Sequence, residues 1–138
     1  PEALYLKVLT AILDKDPHVI DSVHNALNGG ISLGDFISGF NRFLNQCMLA
    51  VSKIETGLEI SSITRNHLDS DKTIQVLDIL RIHEQTQRFE ARLRHLKYPA
   101  VTFDSLLIKL LSMESTVSIS DLLDKTGGRA EKSPRKRI

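Results

Sequence analysis

The sequence predicts an all-α fold of five to six helices packed as a bundle, with a disordered basic tail behind it. Three observations predict this. Leu33, Phe36, Ile37, Phe40, Phe43, Leu44, Cys47, Met48 and Val51 recur at three- and four-residue steps and lay one continuous apolar stripe along a long helix. Glycines and prolines punctuate the chain between periodic stretches, at Asp16-Pro17, Gly29-Gly30 and Tyr98-Pro99. At 138 residues the chain is one domain by length and buries roughly two thirds of its unfolded surface, enough for a core without disulfide staples. Residues 1–115 are read as the helical domain and 116–138 as a polar, basic linker or tail.

The first helix spans Glu2 to Leu13, with Leu6, Leu9 and Leu13 on one edge of its apolar face and Tyr5, Val8 and Ile12 on the other. Asp16 is a preferred N-cap and Pro17 suits the first helical position, so the spacing predicts a second helix from Pro17 to about Asn28 that buries Val19, Ile20, Val23 and Leu27. Gly29-Gly30 stops it and turns the chain into the central helix, Leu33 to Val51. Ser32 caps that helix and Asp35 lies at the positive end of its dipole. Phe36, Phe40, Phe43, Leu44 and Cys47 are its core residues. Cys47 reads as a small buried hydrophobe rather than a reactive thiol.

From Lys53 to Ser70 the pattern weakens, and the stretch reads as a linker with at most one helical turn. Ser70 and Asp71 start a fourth helix that runs without Gly or Pro from Lys72 to Leu96. Its first half is apolar on several sides (Ile74, Val76, Leu77, Ile79, Leu80, Ile82); its second half keeps only Phe89, Leu93 and Leu96. Tyr98-Pro99 ends it, because the residue before proline avoids the helical region. A fifth helix from Val101 to Met113 leaves only Asp104, Ser105, Lys109 and Ser112 for water. Ser118 or Ser120 caps a weak turn through Leu122-Leu123, and after Gly127-Gly128 the chain is expected to be disordered.

The charge is uneven. The chain carries +1 in all, but from Lys125 onward six Lys/Arg face a single acid, so the tail holds +5 and residues 1–124 hold −4. An acidic body is ill suited to coating phosphates, so the expected nucleic-acid contact is a weak one through the tail. No apolar run is long enough to span a bilayer, so no membrane partner is expected. The lone cysteine and the absence of a leader pattern at Pro1-Glu2-Ala3-Leu4 fit the cytoplasm and a piece of a longer chain.

Sites for chemistry are scarce. There is no Gly-rich phosphate loop, no paired cysteine and no Gly-x-Ser-x-Gly elbow. The histidines lack ligand spacing: His18 and His24 are six apart, and His67 with Asp69 and His83 with Glu84 have no third partner. A metal-dependent phosphohydrolase built on His-Asp pairs stands as an alternative to surface histidines. Arg81, Arg88 and Arg92, with His95, form a basic stripe that reads either as a solvated face with Glu84 and Arg88 paired or as a subunit interface facing acidic neighbours.

In the order of its elements the chain resembles the third domain of the bacterial DNA polymerase III gamma/tau subunit, the clamp-loader ATPase. Three passages carry this. The first is Leu9-Thr10-Ala11-Ile12-Leu13-Asp14-Lys15-Asp16, a helix, and then Asn28-Gly29-Gly30-Ile31-Ser32-Leu33-Gly34-Asp35-Phe36. The second is Phe40-Asn41-Arg42-Phe43-Leu44-Asn45-Gln46-Cys47-Met48-Leu49-Ala50. The third is Arg94-His95-Leu96-Lys97-Tyr98-Pro99-Ala100-Val101-Thr102-Phe103-Asp104-Ser105-Leu106-Leu107-Ile108-Lys109-Leu110. The likeness covers about residues 2–114. Asp104 stands where the family usually has Glu, and Val101-Thr102-Phe103 replaces a more aliphatic run.

The resemblance implies a bundle of clamp-loader collar type, a domain that holds the ATPase subunits together in a ring during DNA replication. It implies no catalysis and no cofactor in this stretch: ATP, Mg and Zn would be bound by upstream domains of an ATPase subunit of DNA-directed DNA polymerase III. Its partners would be sister clamp-loader subunits, of self, delta and delta-prime type. Ile79, Ile82, Leu107, Leu111 and Met113 are the candidate subunit interface, because helices apolar on most sides exceed what one core absorbs. A generic helical adaptor is the alternative function.

Overall fold

The computed structural model describes residues 1–116 and Leu123. Among the described residues the chain is all-α, with six α-helices and no strand: α1 (Glu2–Leu13), α2 (Val19–Asn28), α3 (Leu33–Val51), α4 (Ser62–Ser70), α5 (Val76–Arg92) and α6 (Pro99–Ser112), with a short 3-10 turn (Leu93–His95) after α5. No helix among them is long and apolar enough to cross a membrane.

The hub is α3, against which α1, α4 and α5 pack; α6 lies against α1 and α5, and α2 against α1. Ser32 caps α3 by accepting the Asp35 N–H at 3.0 Å. Phe36, Phe40, Phe43, Leu44 and Cys47 are all buried. Burial, with a smaller contribution from the Glu2 charge, pushes the Cys47 thiol up to about 12, so it stays protonated and packs as an apolar group. Aromatic rings join four helices: Tyr5 of α1 sits 5.6 Å from Phe36, Phe36 sits 5.9 Å from Phe103 of α6, and Phe103 sits 5.2 Å from Phe89 of α5.

Five boundaries differ from expectation. α2 starts at Val19 and not at Pro17, because the Asp16 carboxylate accepts the His18 N–H at 3.0 Å and the first bonds, Val19 to Asp16 and Ile20 to Pro17, are three-residue turns. Ile20 and Leu27 are only half-buried on it. α5 starts at Val76 and not at Lys72, because Asp71 bonds the Thr73 N–H (3.0 Å) and hydroxyl (2.6 Å) and holds a turn there. It ends at Arg92, and the 3-10 turn replaces its last stretch. α6 starts at Pro99, whose missing N–H costs nothing at the first helical position, and ends at Ser112.

The largest departure is α4, in a stretch expected to be a linker. Ser61 caps it, accepting the Thr64 N–H at 3.3 Å. The Glu2 carboxylate from α1 accepts the Ser61 N–H (3.0 Å), the Ser61 hydroxyl (2.6 Å) and the Thr64 hydroxyl. Thr64 and Leu68 are buried, so one face of a largely polar helix is docked while Ile63 points out. Apart from Thr116 and Leu123, the expected tail of residues 116–138 lies outside the described residues, and so do the caps expected at Ser118 or Ser120 and the expected disorder after Gly127-Gly128.

Candidate functional site

Helices α5 and α6 run antiparallel: Phe89 meets Phe103 near one end, and the Arg81 guanidinium donates to the Glu114 carbonyl at 3.3 Å near the other. Their inner faces are spent on the core. Ile79, Ile82 and Leu107 are buried, and Leu111 and Met113 are half-buried and packed against the core. These five are therefore not an open interface. Packing against the core takes Ile79 and Ile82 inward on α5.

The outward apolar side chains are others on the same two helices. Val76, Leu77 and Leu80 are exposed on α5, and Val101 and Ile108 are 65% and 56% exposed on α6. Val76, Leu77 and Leu80 fall within about 100° of arc, one stripe of a helix. These residues lie in the same apolar stretches as the expected interface residues, beside them in the chain. An i, i+4 pairing of Val76 with Leu80, off phase with Ile79 and Ile82, was the usable signal.

The basic stripe divides. Arg81 is half-buried, 3.9 Å from the buried Asp78 carboxylate, which also accepts the Thr116 N–H and hydroxyl, each at 2.7 Å. Arg88 and Arg92 are exposed. Glu84 and Arg88, expected as a pair, are not among the ion pairs of the described residues.

Two polar links fix the helices that carry these surfaces. Buried Asn41 of α3 donates to the Glu90 carboxylate at 2.6 Å and to the Thr86 carbonyl at 3.3 Å, and it accepts the Thr86 hydroxyl at 2.5 Å. Ser38 donates to the other Glu90 oxygen at 2.5 Å. This lock sets the rotation of α5 on α3 and has only a weak sequence trace, a polar Asn41 beside Phe40. The second link is His24 of α2 on Asp104 of α6, 2.7 Å apart and each side chain more than 40% exposed. Asp104 thereby ties α2 to α6, a surface pair of small energetic weight. Beside the lock, burial holds the His83 imidazole below its usual range, partly opposed by Glu90.

Of the remaining histidines, His18 pairs with the Asp16 carboxylate at 2.9 Å. No group of three or more His, Cys, Asp or Glu among the described residues is placed to hold a metal ion. No family model, no curated protein and no solved structure matches the chain.

Proposed function

We propose that the chain is an oligomerisation module of clamp-loader collar type, which holds ATPase subunits of a DNA polymerase III clamp loader together during DNA replication. The observation that supports it best is the outward apolar set Val76, Leu77, Leu80, Val101 and Ile108 on two adjacent helices whose inner faces already complete a core. An apolar patch shared by two adjacent helices is the kind of surface that association covers. The resemblance over residues 2–114 supplies the kind of partner, sister subunits of self, delta and delta-prime type. The module's contribution is mechanical; nucleotide hydrolysis would belong to upstream domains of the parent, and the setting would be cytoplasmic.

Sedimentation of the full chain, alone and mixed with delta- and delta-prime-type subunits, tests this. Association is expected to change little between low and high salt, since apolar burial drives it. Leu80→Glu with Ile108→Glu is expected to abolish it while leaving the helical circular dichroism intact. Failure to bind either a delta- or a delta-prime-type subunit would sink the proposal, and self-association retained in that case would favour the helical adaptor.

A further inference from the structure

The corner between α5 and α6 concentrates cations that the fold does not use. Arg88, Arg92, Arg94, His95 and Lys97 fall within ten residues, all exposed, and none forms an ion pair with a described residue. Acids of the same stretch do not neutralise them. Glu84 lies one turn before Arg88 without pairing to it, and both oxygens of Glu90 are taken by Asn41 and Ser38. Arg88 and Arg92 are one helical turn apart, about 6 Å along the axis, and so share a face. Tyr98 follows at once, 63% exposed, with Lys97 Nζ 5.5 Å from its ring centroid. One face of the ring carries a cation and the rest stands in solvent.

We propose that this corner binds single-stranded nucleic acid. Guanidinium forks and an ammonium group suit phosphate oxygens, and the exposed Tyr98 ring, with Lys97 at one face and six residues on from Arg92 in the chain, is a platform on which an unpaired base stacks. An acidic protein surface would use the arginines equally well but gives the bare ring no role, which is why the nucleic acid is favoured. The corner also lies on an acidic body, so the local cluster, and not the overall charge, supplies the attraction.

Fluorescence anisotropy of a labelled oligothymidylate of about 20 nucleotides against the full chain tests it. Binding should weaken steeply with salt. Arg88→Gln with Arg92→Gln should lower the slope of log affinity against log salt by about 1.4, two single-strand phosphate contacts. Tyr98→Ala should weaken binding roughly tenfold with the slope unchanged, the signature of lost stacking; if Tyr98→Ala lowers the melting midpoint, Tyr98→Ser, which puts a favoured residue at the N-cap position, supports α6 and reads the same loss. The proposal is overturned if the wild-type chain does not bind, or if the corner variants bind as the wild type does. It is equally overturned if Arg135→Gln with Lys136→Gln and Arg137→Gln alone abolishes binding, which would assign it to the tail, or if polyglutamate competes as well as the oligonucleotide, which would assign the corner to an acidic protein.

Discussion

Gly39 shows how closely the central residues are fitted. A Cβ built there would stand 2.0 Å from the Tyr5 hydroxyl oxygen and 2.7 Å from its Cζ, so the position is small to let the Tyr5 ring lie on α3 beside Phe36, Phe40 and Phe43. Gly39→Ala is expected to destabilise by about 1–3 kcal/mol, as overpacking does, and Tyr5→Leu to recover part of the loss in urea melts. Phe40→Ala, which empties a buried site, should cost about 3–5 kcal/mol, a large share of a domain's stability. A loss under about 1 kcal/mol would contradict the packing. Ionisation adds a pH signature. Hydrogen bonds from Ser61, then Thr64, hold the Glu2 carboxyl below its usual 4.5. The native state therefore favours the carboxylate, and the stability it contributes is complete above pH 4.5 and lost as pH falls through the lowered value. Glu2→Gln should flatten that acid limb. His83 contributes the other limb: its folded value lies below 6.5, so the unfolded chain takes up the proton first and stability declines as pH drops below 6.5.

At the scale of elements, helices with an apolar face of several large residues were legible, and the short, largely polar α4 was not. The bounds of α1 and α3 follow from Leu9 and Val8 on one, and the Phe36-Phe40-Phe43 register and Ser32 cap on the other. α4 was illegible because its stabilising partner, Glu2, is 59 residues away from Ser61, and between Leu58 and Leu68 only Ile60 and Ile63 interrupt a polar stretch, too few to set a helical period. The site was legible to the helix and not to the face. Tertiary packing, of Asn41 of α3 on Thr86 and Glu90 of α5 and of Phe36 of α3 on Phe103 of α6, fixes which side of α5 and α6 is inner. The cap makes α4 testable. Ser61→Ala should cost about 1 kcal/mol, and combined with Glu2→Gln the two losses should be less than additive, since both remove the same contact. Full additivity in a double-mutant cycle would show that Glu2 and Ser61 act separately.

At the scale of the whole molecule, the layout predicts an order of opening. α3 is covered by three helices, and its amides between Phe36 and Cys47 lie beneath buried side chains from α1 and α5. Those amides should exchange with solvent only when the entire domain unfolds. α4 is short, docks on α3 through the buried Leu68 and Thr64, and is tied to α1 by the Glu2 carboxylate; its other ion pairs, Arg65 with Glu55 and Lys53 with Asp69, lie at the surface. Its amides from Arg65 to Ser70 should therefore open in a smaller, cheaper event while the other helices stay closed. Lowering the pH through the Glu2 titration should speed exchange in α4 while leaving α3 slow relative to the intrinsic rate. α5 and α6 separate the local from the assembled state: their outward stripes protect no amide in the monomer, so slower exchange around Leu80 and Ile108 at rising protein concentration would report association. If native-state exchange instead shows α4 as protected as α3, the chain unfolds as one unit and the Glu2 anchor carries more than the packing suggests.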